Sequence, residues 1–284
     1  MNNQATIAQF DPARPIDSMQ LLPQTALIPV GAAAGPSLSV QMLDGFQVWI
    51  DDGPSLELPR GKALCAFKLL LLRRRRALSR EKLCSMLWPD ADLASARNGL
   101  NVTMHRLRRA LGEPGLVQHT ASGYQVIAPG GIWADTERFV SHATIGAAED
   151  MQGRVGPAIE QYELAMNLYR NDLLDDPENE PALAIDAQAL RDRLNQVLER
   201  LALLREEGGD IHNCLRASHR HLNLDECNEV VHRRLMRCYA RLGQPQLAER
   251  QYRRCVYALK MHLGTQPNVQ TTQLCRQIAN HAFS

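Results

Sequence analysis

The sequence predicts a mainly α protein with a small β component, in which an N-terminal winged helix-turn-helix precedes an all-α solenoid of tetratricopeptide type. Three observations carry this. Residues 38–127 run through short strand patterns, three helical patterns and a closing hairpin pattern. The third helical pattern, Ala94 to Leu111, is amphipathic and contains no carboxylate. Leu201, Gly209, Cys214 and Ser218 recur thirty-four residues later as Leu235, Gly243, Ala248 and Tyr252, the period of a stacked helix-pair repeat.

Taken in order, residues 1–37 hold Pro12, Pro15, Pro23, Pro29 and Pro36 with a small-residue run from Gly31 to Gly35. Without sustained periodicity this is the composition of a disordered arm. From Leu38, the stretch LSVQMLDGFQVWIDDGPSLELP alternates apolar and polar residues around Asp44-Gly45 and Asp52-Gly53-Pro54, which predicts three short antiparallel strands. Arg60 to Leu72 sets Leu64, Phe67, Lys68 and Leu71 at helical spacing and runs into Arg73 to Arg76. Cations at a helix C-terminus suit its dipole, so this run reads mainly as a helix end. Ser79 is an N-cap for a second helix reaching Leu87, stopped by Trp88-Pro89. After Gly112 and Pro114, LVQHTASGYQVI folds back around Ala121, Ser122 and Gly123 as a two-stranded wing.

On Ala94 to Leu111, the residues Leu100, Met104, Leu107 and Leu111 share one stripe that must be buried. The opposite face offers Asn98, Asn101, Val102, His105, Arg106 and Arg109. Short polar groups there suit base edges, and guanidinium groups suit guanine or phosphate. Arg97 and Arg108 lie partly around the helix, placed to be phosphate clamps or internal braces. A surface helix built for solubility mixes Glu with its cations, yet the next acid along the chain is Glu113, beyond the helix end. Net charge is −1 over residues 1–37, +5 over 38–133 and −3 over the remainder, for a total of +1. A basic segment within a near-neutral chain points to double-stranded DNA as its partner. In a winged helix the third helix enters the major groove and the wing reaches the backbone, where His119, Thr120, Ser122 and Tyr124 can hydrogen-bond phosphates.

From Ile132 onward the patterns are helical. Ala158, Tyr162, Ala165 and Leu168 make one face. After a turn at Asp175 to Pro181, Leu183, Ala187, Leu190, Leu194, Val197, Leu201 and Leu204 recur along one long helix closed by Gly208-Gly209. Tyr239, Gly243, Ala248 and Tyr252 then keep a spacing in which small residues let paired helices approach and an aromatic fills the gap. The expected division is therefore an arm at 1–37, a DNA-binding unit at 38–131 and a helical unit at 132–284.

Other chemistries find no support. The seven cysteines are odd in number and form no Cys-x-x-Cys pair, which fits buried thiols rather than a disulfide framework or zinc site. His212, His219 and His221 lack a fourth ligand type at helical spacing. No phosphate loop, nucleophile elbow, zinc-protease helix or dinucleotide fingerprint occurs, so neither an enzyme nor a cofactor is expected. No apolar run approaches membrane-spanning length and no signal-peptide pattern opens the chain, so a cytoplasmic location is expected. Residues 1–37 are too short for a phosphoacceptor domain.

Leu83 to Asp90 (LCSMLWPD), Ala96-Arg97-Asn98 before Leu107-Arg108-Arg109-Ala110-Leu111, Gly123-Tyr124 and Trp133-Ala134-Asp135 together resemble the antibiotic-regulatory (SARP) transcriptional activators. These pair a response-regulator-type winged helix with a helical bacterial transcriptional activator domain. The resemblance covers nearly everything after residue 37. It implies a sequence-specific transcriptional activator that binds directly repeated promoter half-sites, forms a homodimer at least on DNA, and contacts RNA polymerase. It also implies that the loop between the second and third helices, here Trp88 to Asp92 with Trp88, Asp90 and Asp92, faces the polymerase. Two departures stand out. The wing has no Arg between Val117 and Ile127, and the closing segment LKMHLGTQP carries Lys260, Met261 and His262 where acidic residues are usual. The alternative function is a scaffold in which the winged helix and the solenoid groove hold partner proteins. No pattern identifies an effector ligand.

Overall fold

A computed structural model of the chain describes residues 35–173 and 181–282. Strand β1 (Leu38–Gln41) pairs antiparallel with β2 (Gln47–Ile50), Leu38 opposite Ile50 and Val40 opposite Val48. The expected third antiparallel strand does not form. Leu56 N donates to Val48 O at 2.8 Å, but Pro59, with no N–H, ends the approach. The third strand of the sheet is instead β5 (Ile132–Ala134), which lies parallel to β1 on its other side and gives the order β2-β1-β5. The all-helical reading from Ile132 is thereby corrected: a strand comes first, because β1, buried at Leu38 and Val40, needs a partner on both edges.

Three helices follow the first two strands: α1 (Lys62–Leu72), α2 (Arg80–Leu87) and α3 (Leu93–Leu111). The hairpin β3 (Val117–Thr120) and β4 (Gly123–Val126) pairs His119 with Tyr124. α1 is apolar all round, and a helix of that kind must be buried on every side. Accordingly Ala63, Cys65, Ala66, Phe67, Leu69, Leu70 and Leu71 are all buried. Lys68 is buried too, with its ammonium 4.9 Å from the Phe46 ring centroid. Of the expected arm, 1–34 lie outside the described residues. Gly35 to Ser37 are held on the body: Gly130 N donates to Pro36 O at 3.0 Å and Ser37 N to Asp51 Oδ1 at 2.8 Å.

The remainder is helical: α4 (Asp135–Met151), α5 (Val155–Leu168), α6 (Ala184–Glu207), α7 (Ile211–Leu224), α8 (Glu229–Arg241), α9 (Pro245–Leu263) and α10 (Val269–Ala282). α4 packs on α5, α6 on α7 and α8 on α9, each pair stacked on the next. The thirty-four-residue register is visible in the packing. Gly209 (φ 76°) and Gly243 (φ 69°) both take the left-handed conformation between paired helices. Leu201 and Leu235 are buried as equivalents, as are Cys214 and Ala248. The stripe on α6, Ala187, Leu190, Leu194, Val197, Leu201 and Leu204, is buried throughout. Most of the turn expected at Asp175 to Pro181 lies outside the described residues.

One buried group joins the sheet to the helical array. Asp135, the first residue of α4, accepts hydrogen bonds from Met42 N at 2.8 Å and Leu43 N at 2.7 Å through Oδ2, and from Thr136 N at 2.7 Å through Oδ1. Burial pushes its carboxyl up to about 6 although the three N–H groups oppose that shift. A carboxyl raised in the folded state holds its proton there first, so its contribution to stability is greatest near pH 4 and declines as pH rises through about 6. Asp135→Asn removes this titration. Urea unfolding of both proteins between pH 4 and 7 should show wild-type stability falling by roughly 3 kcal/mol relative to the variant; parallel curves would show that Asp135 does not titrate in this range.

Candidate nucleic-acid interface

The basic face is built on α3. Asp92 is its N-cap, with Oδ1 accepting from Ala94 N at 2.9 Å and Ser95 N at 3.0 Å. Hydrogen bonds from Ser95 and then Ala94 hold its carboxyl below the usual carboxylate range. Gly112, at φ 67°, closes the other end. Ala96, Leu100, Thr103, Met104, Leu107 and Leu111 are buried, as the stripe required. Arg97, Asn98, Asn101, Val102, His105, Arg106 and Arg109 are all exposed on one side. Arg106 and Arg109 form no ion pair among the described residues, and Arg97 makes only a loose one, 3.7 Å from Glu81. That exposed pair has little energetic worth. From Arg97 to Arg109 the face is thus about 18 Å long and carries its donors without an acid on the same helix.

Arg108 turns inward. Its Nε donates to Val117 O at 2.9 Å and its guanidinium lies 5.9 Å from the Tyr124 ring centroid, so it braces the wing rather than reaching outward. Tyr124 differs from expectation. Its ring is buried and meets His119 edge-on, with centroids 4.7 Å apart, because β4 is the inner strand of the hairpin. Gly123 lets β4 cross the segment before α2: a Cβ there would stand 2.1 Å from Leu78 O. Thr120 Oγ1 donates to Gly123 O at 3.0 Å and accepts from Ser122 N at 3.3 Å, which commits it to the turn. His119 and Ser122 are exposed on the wing.

The loop between α2 and α3 exposes Pro89, Asp90 and Ala91, and Leu93 at the start of α3 is exposed too. Trp88 is half-buried, with its indole on Gly99 of α3, and Asp92 serves as the cap. Of the three residues expected to face a polymerase, Asp90 alone is both exposed and free of a structural task.

Sequence reasoning missed Arg80. It occupies the first turn of α2, where a cation opposes the helix dipole; that local conflict was the available signal. Its Nη2 donates to Asn101 Oδ1 at 2.8 Å. Contact with the Tyr124 hydroxyl is the largest influence on its guanidinium, which is held above the usual arginine value. The Arg73 to Arg76 run is also revised. α1 ends at Leu72, and Arg73 donates to Asp186 Oδ2 at 2.7 Å. Arg74 pairs with Glu137 through two hydrogen bonds and donates to Ile132 O at 3.1 Å. Two of the four arginines therefore tie the winged helix to the helical array; Arg75 and Arg76 are exposed.

Two of the three histidines have partners within the helical array. His219 meets the Tyr239 hydroxyl at 2.9 Å, and His221 is buried 3.6 Å from Glu199. Among the described residues no three His, Cys, Asp or Glu come together as a metal site, and no helix is long and apolar enough to cross a membrane.

A winged helix with one exposed, carboxylate-free helix face, joined to stacked helix pairs, defines a class of regulatory protein in which a DNA-binding module is coupled to a helical repeat array. The chain belongs to the bacterial transcriptional activator domain family, whose model matches residues 134–279, and a model for the C-terminal domain of transcriptional regulatory proteins matches residues 60–126. Transcriptional regulatory protein EmbR of Mycobacterium bovis and that of Mycobacterium tuberculosis are 27% identical to it over 146 residues, 49% of this chain and 37% of each relative. The match thus spans little more than a third of those curated relatives. The solved structure of Mycobacterium tuberculosis EmbR in complex with a low affinity phosphopeptide is similar with a TM-score of 0.68 at 21% identity, covering 87% of this chain and 65% of that one. At that identity the likeness is one of fold.

The two structural arginines generate a test. Arg74→Ala should lower unfolding stability by about 1–3 kcal/mol, the worth of a charge-assisted, partly buried pair and its carbonyl contact. DNA affinity of the folded variant should stay within about twofold of wild type, since a phosphate contact of this residue would appear as a reduced salt slope.

Proposed function

We propose that this protein is a sequence-specific DNA-binding transcriptional regulator, and an activator, whose α3 reads the major groove. The observation that supports this best is the exposed face of Asn98, Asn101, Val102, His105, Arg106 and Arg109, with no acid anywhere in α3, inside a chain that matches two transcriptional-regulator family models. Asn98, Asn101, His105, Arg106 and Arg109 are assigned base or adjacent phosphate contacts, with Val102 against a thymine methyl. Arg97 and His119 are assigned to the backbone, while the Thr120 hydroxyl, whose proton goes to Gly123 O, is left out. Tyr124 is left out of the contact set, because its ring lies beneath the wing.

The protein works in this reading as two units, 38–131 on DNA and 132–284 for assembly, although β5 of the second completes the sheet of the first. Two copies occupy directly repeated half-sites, and the α2–α3 loop, through Asp90, meets RNA polymerase. The setting is the cytoplasm, and no catalytic step is assigned.

Gel-shift titration against genomic fragments at several salt concentrations tests the core of this. Arg106→Ala or Arg109→Ala should each cost about 1–3 kcal/mol on the preferred fragment if the contact is to a base. A phosphate contact should instead weaken all fragments alike and reduce the salt slope by about one. If no fragment is preferred over bulk DNA and the double variant binds as wild type does, the activator reading fails in favour of a protein-binding scaffold.

A further inference from the structure

Asn101 sits in the middle of the exposed α3 face, and its side chain is not free to choose how it presents itself. A carboxamide carries an acceptor oxygen and a donor nitrogen, and adenine is recognised by using both at once, against N6 and N7. Here Arg80 Nη2 lies 2.8 Å from Asn101 Oδ1. A guanidinium has donors and no acceptor, so the amide oxygen must face Arg80 and the amide nitrogen must face away from it. The charge on the donor makes the bond a strong one of its kind, worth on the order of a tenfold bias in orientation.

Arg80 is itself placed from three directions. Its backbone opens α2 directly after the Ser79 cap, whose hydroxyl accepts from Lys82 N at 3.2 Å. The hydroxyl of Tyr124, whose ring is buried on the wing side, is the largest influence holding its guanidinium above the usual arginine value. Its Nε is buried without a hydrogen-bond partner, so one side of the half-buried guanidinium is covered by the fold while Nη2 meets Asn101 at the surface. α2, α3 and the wing thus converge on one guanidinium, and that guanidinium orients one carboxamide.

Resting on the DNA-binding reading above, we infer that Arg80 is a positioning residue that engages Asn101 Oδ1 and turns the amide N–H groups outward, so that Asn101 selects guanine over adenine. Guanine presents N7 and O6 as adjacent acceptors in the major groove, matching the two N–H bonds of the outward amide. Adenine presents one acceptor beside a donor. An asparagine without such a tether has the opposite preference.

The test is selection of bound duplexes from a randomised pool by the full-length protein and by variants, followed by titration of the enriched sites. Asn101→Ala identifies the position Asn101 reads, as the one whose preference disappears. In the unaltered protein that position should favour guanine over adenine by about 5- to 150-fold, the range for a good two-bond contact. Arg80→Met should bring adenine to within about threefold of guanine at that position alone, Arg80→Lys should restore most of the guanine preference, and Tyr124→Phe should erode it partly.

If Arg80→Met destabilises the winged helix, Tyr124→Phe keeps the ring in the core and still reports on the tether. A preference for any base other than guanine at the Asn101 position removes the inference. So does an Arg80→Met variant that weakens every sequence alike and leaves that preference intact. Failure of the unaltered protein to enrich any sequence removes the DNA-binding reading itself, and this inference with it.

Discussion

The carboxylate of Asp135 is where two otherwise separable patterns become one body. Taking a charged group out of water is costly unless its lone pairs are occupied, and here backbone N–H groups from Met42 and Leu43 and the adjacent Thr136 N–H occupy them. Those same bonds hold the end of β1 against the start of α4 and set β5 beside β1. Around this point the cores merge. Leu69 and Leu70 of α1, Phe139 of α4 and Leu194 of α6 belong to one continuous apolar cluster. A winged helix held this way is not a bead on a tether.

The reading face depends on a second constraint, which is that α3 has a correct rotation about its axis. Leu100, Met104 and Leu107 are buried almost completely, and burial of that stripe points Asn98, Asn101, His105 and Arg106 outward together. Arg108 then ties the helix to the wing through Val117 O, and Arg80 ties it to α2. Sites held by locked side chains and supporting hydrogen bonds read their targets with less ordering cost on binding. The acid-free face therefore has a rigid frame, in which two arginines that look like DNA contacts are spent on internal geometry.

Along the helical array, adjacent pairs are joined by charge as well as by apolar packing. Arg234 of α8, almost fully buried, reaches Glu199 of α6 at 2.6 Å and Glu206 at 3.3 Å, and Arg237 reaches Glu206 at 2.8 Å. Buried pairs of this kind fix register more than they add stability, because desolvation offsets most of their attraction. They place the α8–α9 pair on the α6–α7 pair in a single alignment, complementing the left-handed glycines that set the turns.

Periodicity and charge were enough to locate α2, α3, the wing and the thirty-four-residue helix pairs, because each signal is local: a cap, a stripe, a turn residue or a repeat. The exposed residues Asn98, Asn101, Val102, His105, Arg106 and Arg109 were readable for the same reason, since the face opposite a buried stripe is determined by the helix alone. Tertiary structure alone decided three things. It brought Ile132–Ala134 in as the partner of β1, a parallel pairing made across ninety residues of intervening chain that no short pattern encodes. It turned Arg73, Arg74 and Arg108 inward, since the carboxylates and carbonyls that receive them lie on other elements. It also set Arg80 against Asn101, so that the oxygen of a side chain whose chemistry alone suits adenine is already engaged within the protein. Residue type sets what a group is able to bond, but which of its bonds are already made depends on neighbours distant in the chain.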